Sequence, residues 1–298
     1  MPLTDRTISG PTIEFPTITV AILIHAGWLA LTWWHAVIPL PLLMLGGGVV
    51  IAWHGSLQHE TIHGHPTGRR WIDAAIGSAP LSLWLPYALY WRSHRAHHAA
   101  QETTDPLEDP ESHYVGVGGG WAYRLARLES TLAGRLLLGP TIRIGRFLLD
   151  EAPRLPRDPR GWARDWLPHL VALVPLLWWL DHVGLPLTTY VLAFAYPGAS
   201  LSLLRSFAEH RADPARHRRA AIVERAPLLA LLFLNNNLHA VHHDRPDLAW
   251  YRLPAHYRAH RRRFADAPCY RGYADVVRRY WRRPQDDVIH PDYRGASG

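Results

Sequence analysis

The chain has 298 residues, of which 48% are apolar and 11% aromatic, with a formal net charge of +7. A single cysteine, Cys269, excludes a disulfide framework, a Cys-based zinc site and a Cys-ligated iron–sulfur cluster within this chain, so any metal must be held by His, Asp or Glu. All 32 basic residues are Arg, and they flank apolar runs instead of alternating with exposed aromatics, which fits the anionic inner face of a membrane better than nucleic acid.

In chain order, residues 1–12 are polar and lack the basic-then-apolar pattern of a cleavable signal peptide. Four apolar segments then approach bilayer-spanning length: Phe15–Trp34, Ile38–Trp53, Trp166–Leu180 and about Leu185–Leu204. They form two pairs, joined by the short connections HAVIP and DHVGLP, neither of which contains Arg. The segments leaving each pair, TGRRW and RSFAEHRADPARHRR, are basic, so the positive-inside rule places them in the cytoplasm. Trp33, Trp34, Trp178 and Trp179 stand where an interfacial aromatic belt is expected. Ile72–Tyr90 is apolar but interrupted by Gly77, Pro80 and Pro86, and is read as interfacial or re-entrant. Residues 101–165 hold an acidic loop, QETTDPLEDPES, a glycine run and an amphipathic Arg-bearing helix. Ala226–Leu234 is a short apolar helix, and the basic, aromatic tail after Arg252 is read as a cytoplasmic cap. The expected architecture is an all-α integral membrane protein, 1–298 as one domain, with about four transmembrane helices in two pairs and a cytoplasmic helical cap.

Histidine is the compositional anomaly, with 20 residues. Three clusters stand out: His59-x-x-x-His63, His94-x-x-His97-His98 and His239-x-x-His242-His243. Positions i, i+3 and i+4 share a helix face, so each cluster can aim its imidazoles at one point. A random H-x-x-H-H is expected roughly 0.1 times in such a chain, and two occur, which rules out chance. The first cluster follows the second apolar segment and the last follows the fourth. The middle cluster reaches the same face if Ile72–Tyr90 does not cross. His210, in RSFAEHR, emerges there as well.

His59-Glu60-x-x-His63 is also the HExxH signature of a zinc metalloprotease, with Glu60 activating water. Zinc catalysis wants three protein ligands and an open position, whereas eight clustered imidazoles are too many for one metal. Imidazole alone does not select the metal, but the count and the location at the membrane edge favour two irons. A soluble di-iron bundle needs two Glu-x-x-His motifs, and this chain has one, Glu60 to His63.

The three boxes, their order and their placement after paired spans resemble the integral-membrane fatty acid desaturase/hydroxylase family over Trp53–Arg263. NNNLHAVHHDRPDLAWYRLPAHYR, RSFAEHR and DPES are similar to bacterial members. The resemblance implies a non-haem di-iron centre that activates O2 and attacks an unactivated C–H bond of a lipid. It implies His59, His63, His94, His97, His98, His239, His242 and His243 as iron ligands. The family often adds a histidine about thirty residues before the third box, and His210 lies 29 before His239, so it is expected as a ninth. Some relatives carry an asparagine four residues before that histidine; here the position is Ser206, with Asn235 as a candidate substitute. Glu60, Glu209, Asp105 and Asp244 are candidates for orienting ligand imidazoles. His54 and His65 do not match the family spacing and are read as bystanders.

Fatty acyl desaturation is the expected reaction. The alternatives are a hydroxylase or ketolase acting on an alkane, carotenoid or other lipid, the HExxH membrane protease, and a His-rich metal transporter, which would need polar groups within its spans. Reductant is expected from a separate ferredoxin or cytochrome b5-like carrier with its reductase, attracted to a basic cytoplasmic surface. The expected location is a bacterial inner membrane, with the boxes facing the cytoplasm.

Overall fold

A computed structural model describes residues 13–293; the polar stretch 1–12 lies outside the described residues. The first pair is a helical hairpin, α1 (Phe15–Trp33) and α2 (Leu40–Ile62), with prolines in both first turns, where their missing N–H costs nothing. α2 continues past Trp53 to Ile62, so the first histidine cluster sits in and just beyond its last turn. α3 (Arg70–Gly77) and α4 (Tyr87–Ala99) follow. Non-helical backbone joins them across Ser78–Pro86, so Ile72–Tyr90 makes no spanning helix. This segment is instead pinned among the apolar helices. The Tyr190 hydroxyl donates to the Leu81 carbonyl at 2.6 Å while accepting from the Trp28 indole at 2.9 Å, and His169 contacts the Leu83 carbonyl at 2.8 Å.

The Arg-bearing stretch forms α5 (Gly120–Leu128), α6 (Leu132–Leu137), α7 (Gly139–Glu151) and the single turn α8 (Arg154–Arg157). α9 (Pro159–His182) starts with an N-cap, the Asp158 carboxylate accepting from the Gly161 N–H at 3.0 Å. The last apolar rod runs through α10 (Leu187–Tyr190), a π-helical turn (Val191–Ala195) and α11 (Tyr196–Glu209).

Among the described residues three helical stretches are long and apolar enough to cross a membrane: Phe15–Trp33, Leu40–Ile62 and Leu187–Glu209. They correspond to three of the four expected spans. The segment Trp166–Leu180 lies within α9, which at 24 residues is about 36 Å long, enough in length. Its first turns, however, carry Arg160, Arg164 and Asp165, and its last carries Asp181, which dilute its apolar character.

α2 packs closely on the rod because both surfaces lack side chains at the crossing. A Cβ on Gly47 would meet the Ala193 carbonyl oxygen at 2.4 Å, and one on Gly198 would meet Ile51 Cβ at 2.4 Å. The C-terminal ends of α2 and α11, which lead to His63 and His210, are thereby held in register.

Beyond α11 the chain forms α12 (Pro227–Leu232), α13 (His239–Asp244), α14 (Leu253–Ala259) and α15 (Tyr273–Tyr280). The fold is mainly helical, with one addition to the all-α expectation. β1 (Ile222–Val223) pairs in parallel with β2 (Cys269–Tyr270), Ile222 opposite Cys269 and Val223 opposite Tyr270.

Candidate metal centre

Four elements deliver the predicted histidines to one place. The end of α2 carries His59 and His63, α4 carries His94, His97 and His98, the residue after α11 is His210, and α13 carries His239, His242 and His243. The structure brings all nine together, in two groups. His59, His63, His94, His98 and His242 form one, and His97, His210, His239 and His243 the other; within each, the ligand-type nitrogens lie within 4.8 Å of one another. Each H-x-x-H-H box is therefore split between the groups, which binds the two sites into one unit.

Eight of the nine meet through their Nε2 atoms. In the five-histidine group, His94 Nε2 lies 3.0 Å from that of His63 and 3.1 Å from that of His98, which lies 3.1 Å from that of His242. His59 leans over His63, His94 and His242 with ring centroids at 4.9, 4.5 and 4.6 Å, and its Nε2 is buried with no hydrogen-bond partner. In the second group the contacts close a ring. His97 to His210 is 3.1 Å, His210 to His239 is 2.7 Å, His239 to His243 is 3.1 Å, and His243 to His97 is 3.2 Å.

The outer nitrogens explain what these contacts mean. Nδ1 of His97 meets Asp109 Oδ1 at 2.8 Å, and Nδ1 of His94 meets Glu111 Oε1 at 3.2 Å. Nδ1 of His210 meets the Arg219 carbonyl at 3.2 Å, and Nδ1 of His239 meets Asn236 Oδ1 at 3.1 Å. An acceptor at Nδ1 places the proton there and leaves Nε2 as a bare lone pair. Lone pairs facing each other at this separation repel, and a cation among them removes the repulsion. Nitrogens gathered this closely leave an ion among them within coordinating reach. The donor sets therefore fit metal ions. Five imidazoles exceed the four ligands of a structural zinc site, and the all-nitrogen set suits a transition metal over Mg2+ or Ca2+.

Electrostatics point the same way. Burial first, and neighbouring imidazoles second, hold His63, His239, His242 and His243 well below the ordinary imidazole range, and bring His98 down to about 2. They stay neutral, the form that metal binding requires. His97 differs: burial, the largest single influence, lowers its pKa, but the Asp109 contact together with the charges of Glu111 and Glu209 brings the value above the ordinary one.

Several expected orienting groups are placed elsewhere. Asp244 pairs with Arg263, and Asp105 accepts from the Leu107 N–H at 2.7 Å and the Tyr293 hydroxyl at 2.9 Å. Asn235 donates to the Trp250 carbonyl at 3.0 Å, away from the histidines. Glu60 accepts from the Trp250 N–H at 3.2 Å and lies 3.5 Å from His59 Nδ1, on the ring edge opposite Nε2. Glu209 lies 3.4 Å from His239 Nδ1 and accepts from Asn236 Nδ2 at 2.8 Å. The orienting groups that sequence reasoning missed are Asp109, Glu111 and Asn236. The first two belong to the DPES stretch, and the third sits in NNN beside the box. His54 and His65 belong to neither group: His65 Nδ1 is bound to Glu14 at 2.8 Å, and His54 meets the His25 ring edge-on.

With this geometry established, residues 19–274 match the sequence profile of the family described as Fatty acid desaturase. The chain belongs to the fatty acid desaturase family. Comparison with the curated proteins gave no match. Family membership implies an oxidoreductase that acts on lipids. In this family member a cavity of about 410 Å³ opens beside the histidines, between α2, α4, α7 and α11. Ile51, Trp84, Ile144, Phe147 and Leu203 line its apolar part. Its polar part holds Ser202, Ser206, Arg205 and Glu209, and the wall includes His94 of one group with His210 and His239 of the other. Ser206 thus faces the cavity that both groups border.

Proposed function

We propose that the chain catalyses O2-dependent oxidation of an unactivated C–H bond in a lipid, with fatty acyl desaturation as the reaction. The observation that carries this reading is the cavity just described: one largely apolar space borders both histidine groups. The five-histidine and four-histidine groups would each hold one iron, with all nine histidines as ligands. The pair of irons, when bound, supplies O2 activation and hydrogen-atom removal.

The protein's own residues do the rest. The apolar wall binds a hydrocarbon chain and excludes water, setting which carbon faces the histidines. Asp109, Glu111 and Asn236 hold the ring orientations of His97, His94 and His239, so the nitrogens need no rearrangement on metal binding. The reductant comes from a separate carrier, of the ferredoxin or cytochrome b5 type. α9 makes a fourth span alongside the three apolar rods, with the histidine end in the cytoplasm at a bacterial inner membrane.

A hydroxylase or ketolase of the same superfamily is the second reading, favoured by the serines of the cavity wall, Ser93, Ser202 and Ser206, which suit an oxygenated product. The protease reading has no support in the geometry, since His59 and His63 share their group with three further histidines and Glu60 faces away from Nε2.

The deciding experiment combines metal analysis of the purified protein with lipid profiling of an expressing host. Two irons per chain and a lipid that has lost two hydrogens support desaturation. A lipid that has gained one oxygen supports the second reading. One zinc and no dependence on O2 would sink both.

A further inference from the structure

A second opening reaches the histidines from the other side of α4. Spacing on that helix directs Ala88, Trp91, Arg92 and Arg95 into it, while Leu89, Tyr90 and Ser93 line the lipid-sized cavity, as a period of 3.6 requires. This cleft measures about 670 Å³ and lies between the end of α2, α3, α4 and the start of α9. His63 is part of its lining, and His63 Nε2 is 3.0 Å from His94 Nε2 inside the five-histidine group. A candidate ligand is therefore exposed at this cleft.

Charge defines what the cleft receives. Arg70, Arg92, Arg95 and Arg164 surround it, and its one acidic lining residue, Asp165, is already bound by Arg92 at 2.5 and 2.6 Å and by Arg154 at 2.8 Å. Arg70 and Arg95 have no hydrogen-bond or ion-pair partner among the described residues. Both instead lie over the Trp91 ring, at 4.2 and 5.1 Å from its centroid. Their guanidinium donors are held in place and remain available to an incoming carboxylate. Arg and Trp together are the residue types that dominate binding energy at protein interfaces.

We infer that this cleft is the docking site of an acidic one-electron carrier protein, whose electrons enter the centre at His63. The inference rests on the di-iron reading above. Either oxidation needs a supply of two electrons: desaturation converts O2, two electrons, two protons and two substrate hydrogens into two waters and an alkene, and hydroxylation converts O2, two electrons and two protons into one water and an alcohol. A one-electron carrier must dock twice per turnover and leave each time. A charged, open cleft provides fast, reversible association of that kind. The other basic cleft, along Arg258–Arg263, is lined by none of the nine histidines, and two of its arginines are already paired, Arg261 with Glu224 and Arg263 with Asp244.

The test uses the full chain in nanodiscs of neutral phosphatidylcholine with a reduced acidic [2Fe–2S] ferredoxin. The Arg70→Glu/Arg95→Glu double variant should weaken ferredoxin binding at least about tenfold and flatten its salt dependence. The ratio of ferredoxin-driven turnover to turnover driven by reduced methyl viologen should fall by a similar factor. Arg262→Glu, in the other cleft, should leave binding within about twofold of the parent. Unchanged binding in the double variant, or an equal loss in Arg262→Glu, overturns the docking site. A fall in viologen-driven turnover matching the fall with ferredoxin overturns it too, and assigns the cleft to substrate or to an anionic lipid headgroup. Absence of viologen-driven turnover in the parent sinks the di-iron reading separately, while the binding measurement still decides what docks in the cleft.

Discussion

Asp109 Oδ1 lies 2.8 Å from Nδ1 of His97, with both side chains almost wholly buried. The same carboxylate accepts from the Glu111 N–H at 2.9 Å and, through Oδ2, from the Thr104 N–H at 2.8 Å. One acid thus sets a histidine ring and folds the loop carrying Glu111, which in turn meets His94. In Asp109→Asn the oxygen can still serve His97, but the amide N–H2 faces the Thr104 donor. Turnover or iron affinity should fall about 10–100-fold, with about 1–3 kcal/mol lost from the fold. Iron content and turnover measured on one preparation check this; values within twofold of the parent would refute it.

Among 20 histidines, membership of the two groups should decide which losses matter. His242→Ala removes a member of the five-histidine group and should abolish turnover and cut bound iron. His54→Gln alters an equally buried histidine outside both groups and should keep the full iron complement. Metal analysis of the two proteins side by side separates ligand loss from core damage. Equal iron in both would show that the grouping does not hold metal.

The histidine periodicity was legible in the sequence because i, i+3 and i+4 on a helix leave few ways to aim three rings. The eight positions named from it converge, and so does His210, which the family resemblance and not the periodicity pointed to. The orienting acids were not legible, because Asp109 reaches His97 from a loop, where no period constrains its direction. Only the DPES stretch hinted at them. NNN was conspicuous, but its division of labour depends on backbone shape. Leu234 and Asn235 adopt left-handed φ values of 47° and 56°, which send Asn235 to Trp250, Asn236 to His239 and Asn237 to the Val223 carbonyl. The fourth expected span is less plain for a related reason: the apolar run Trp166–Leu180 stands in a helix that begins at Pro159 and includes Asp165, anchored to Arg92 and Arg154.

Close contact between α2 and the last apolar rod predicts a sharp glycine dependence. The added Cβ of Gly198→Ala would lie 2.4 Å from Ile51 Cβ and 3.4 Å from the Ala52 nitrogen, so backbone must shift. The expected cost is about 1–3 kcal/mol. Gly145→Ala, on α7 with nothing within 4 Å, is the control and should be neutral or stabilising by up to about 1 kcal/mol. Thermal unfolding in detergent distinguishes them, and equal midpoints would show that the helices are not in tight contact.

The lipid cavity makes a prediction that leaves the histidines untouched. Gly55 lines it from α2, and a Cβ there would find its nearest neighbour, Ser202 Oγ, at a comfortable 3.6 Å. Gly55→Leu should therefore fold and keep its iron, while the larger side chain projects into the space assigned to the hydrocarbon. Displacing the reacting carbon by about 1 Å costs on the order of 100-fold in rate. A long-chain substrate should thus lose turnover by a factor between ten and that limit, and shorter chains should lose less. Profiling products across a chain-length series reads this out directly. Equal turnover at every length would remove the cavity from the substrate path, even if iron content and O2 dependence stay as proposed.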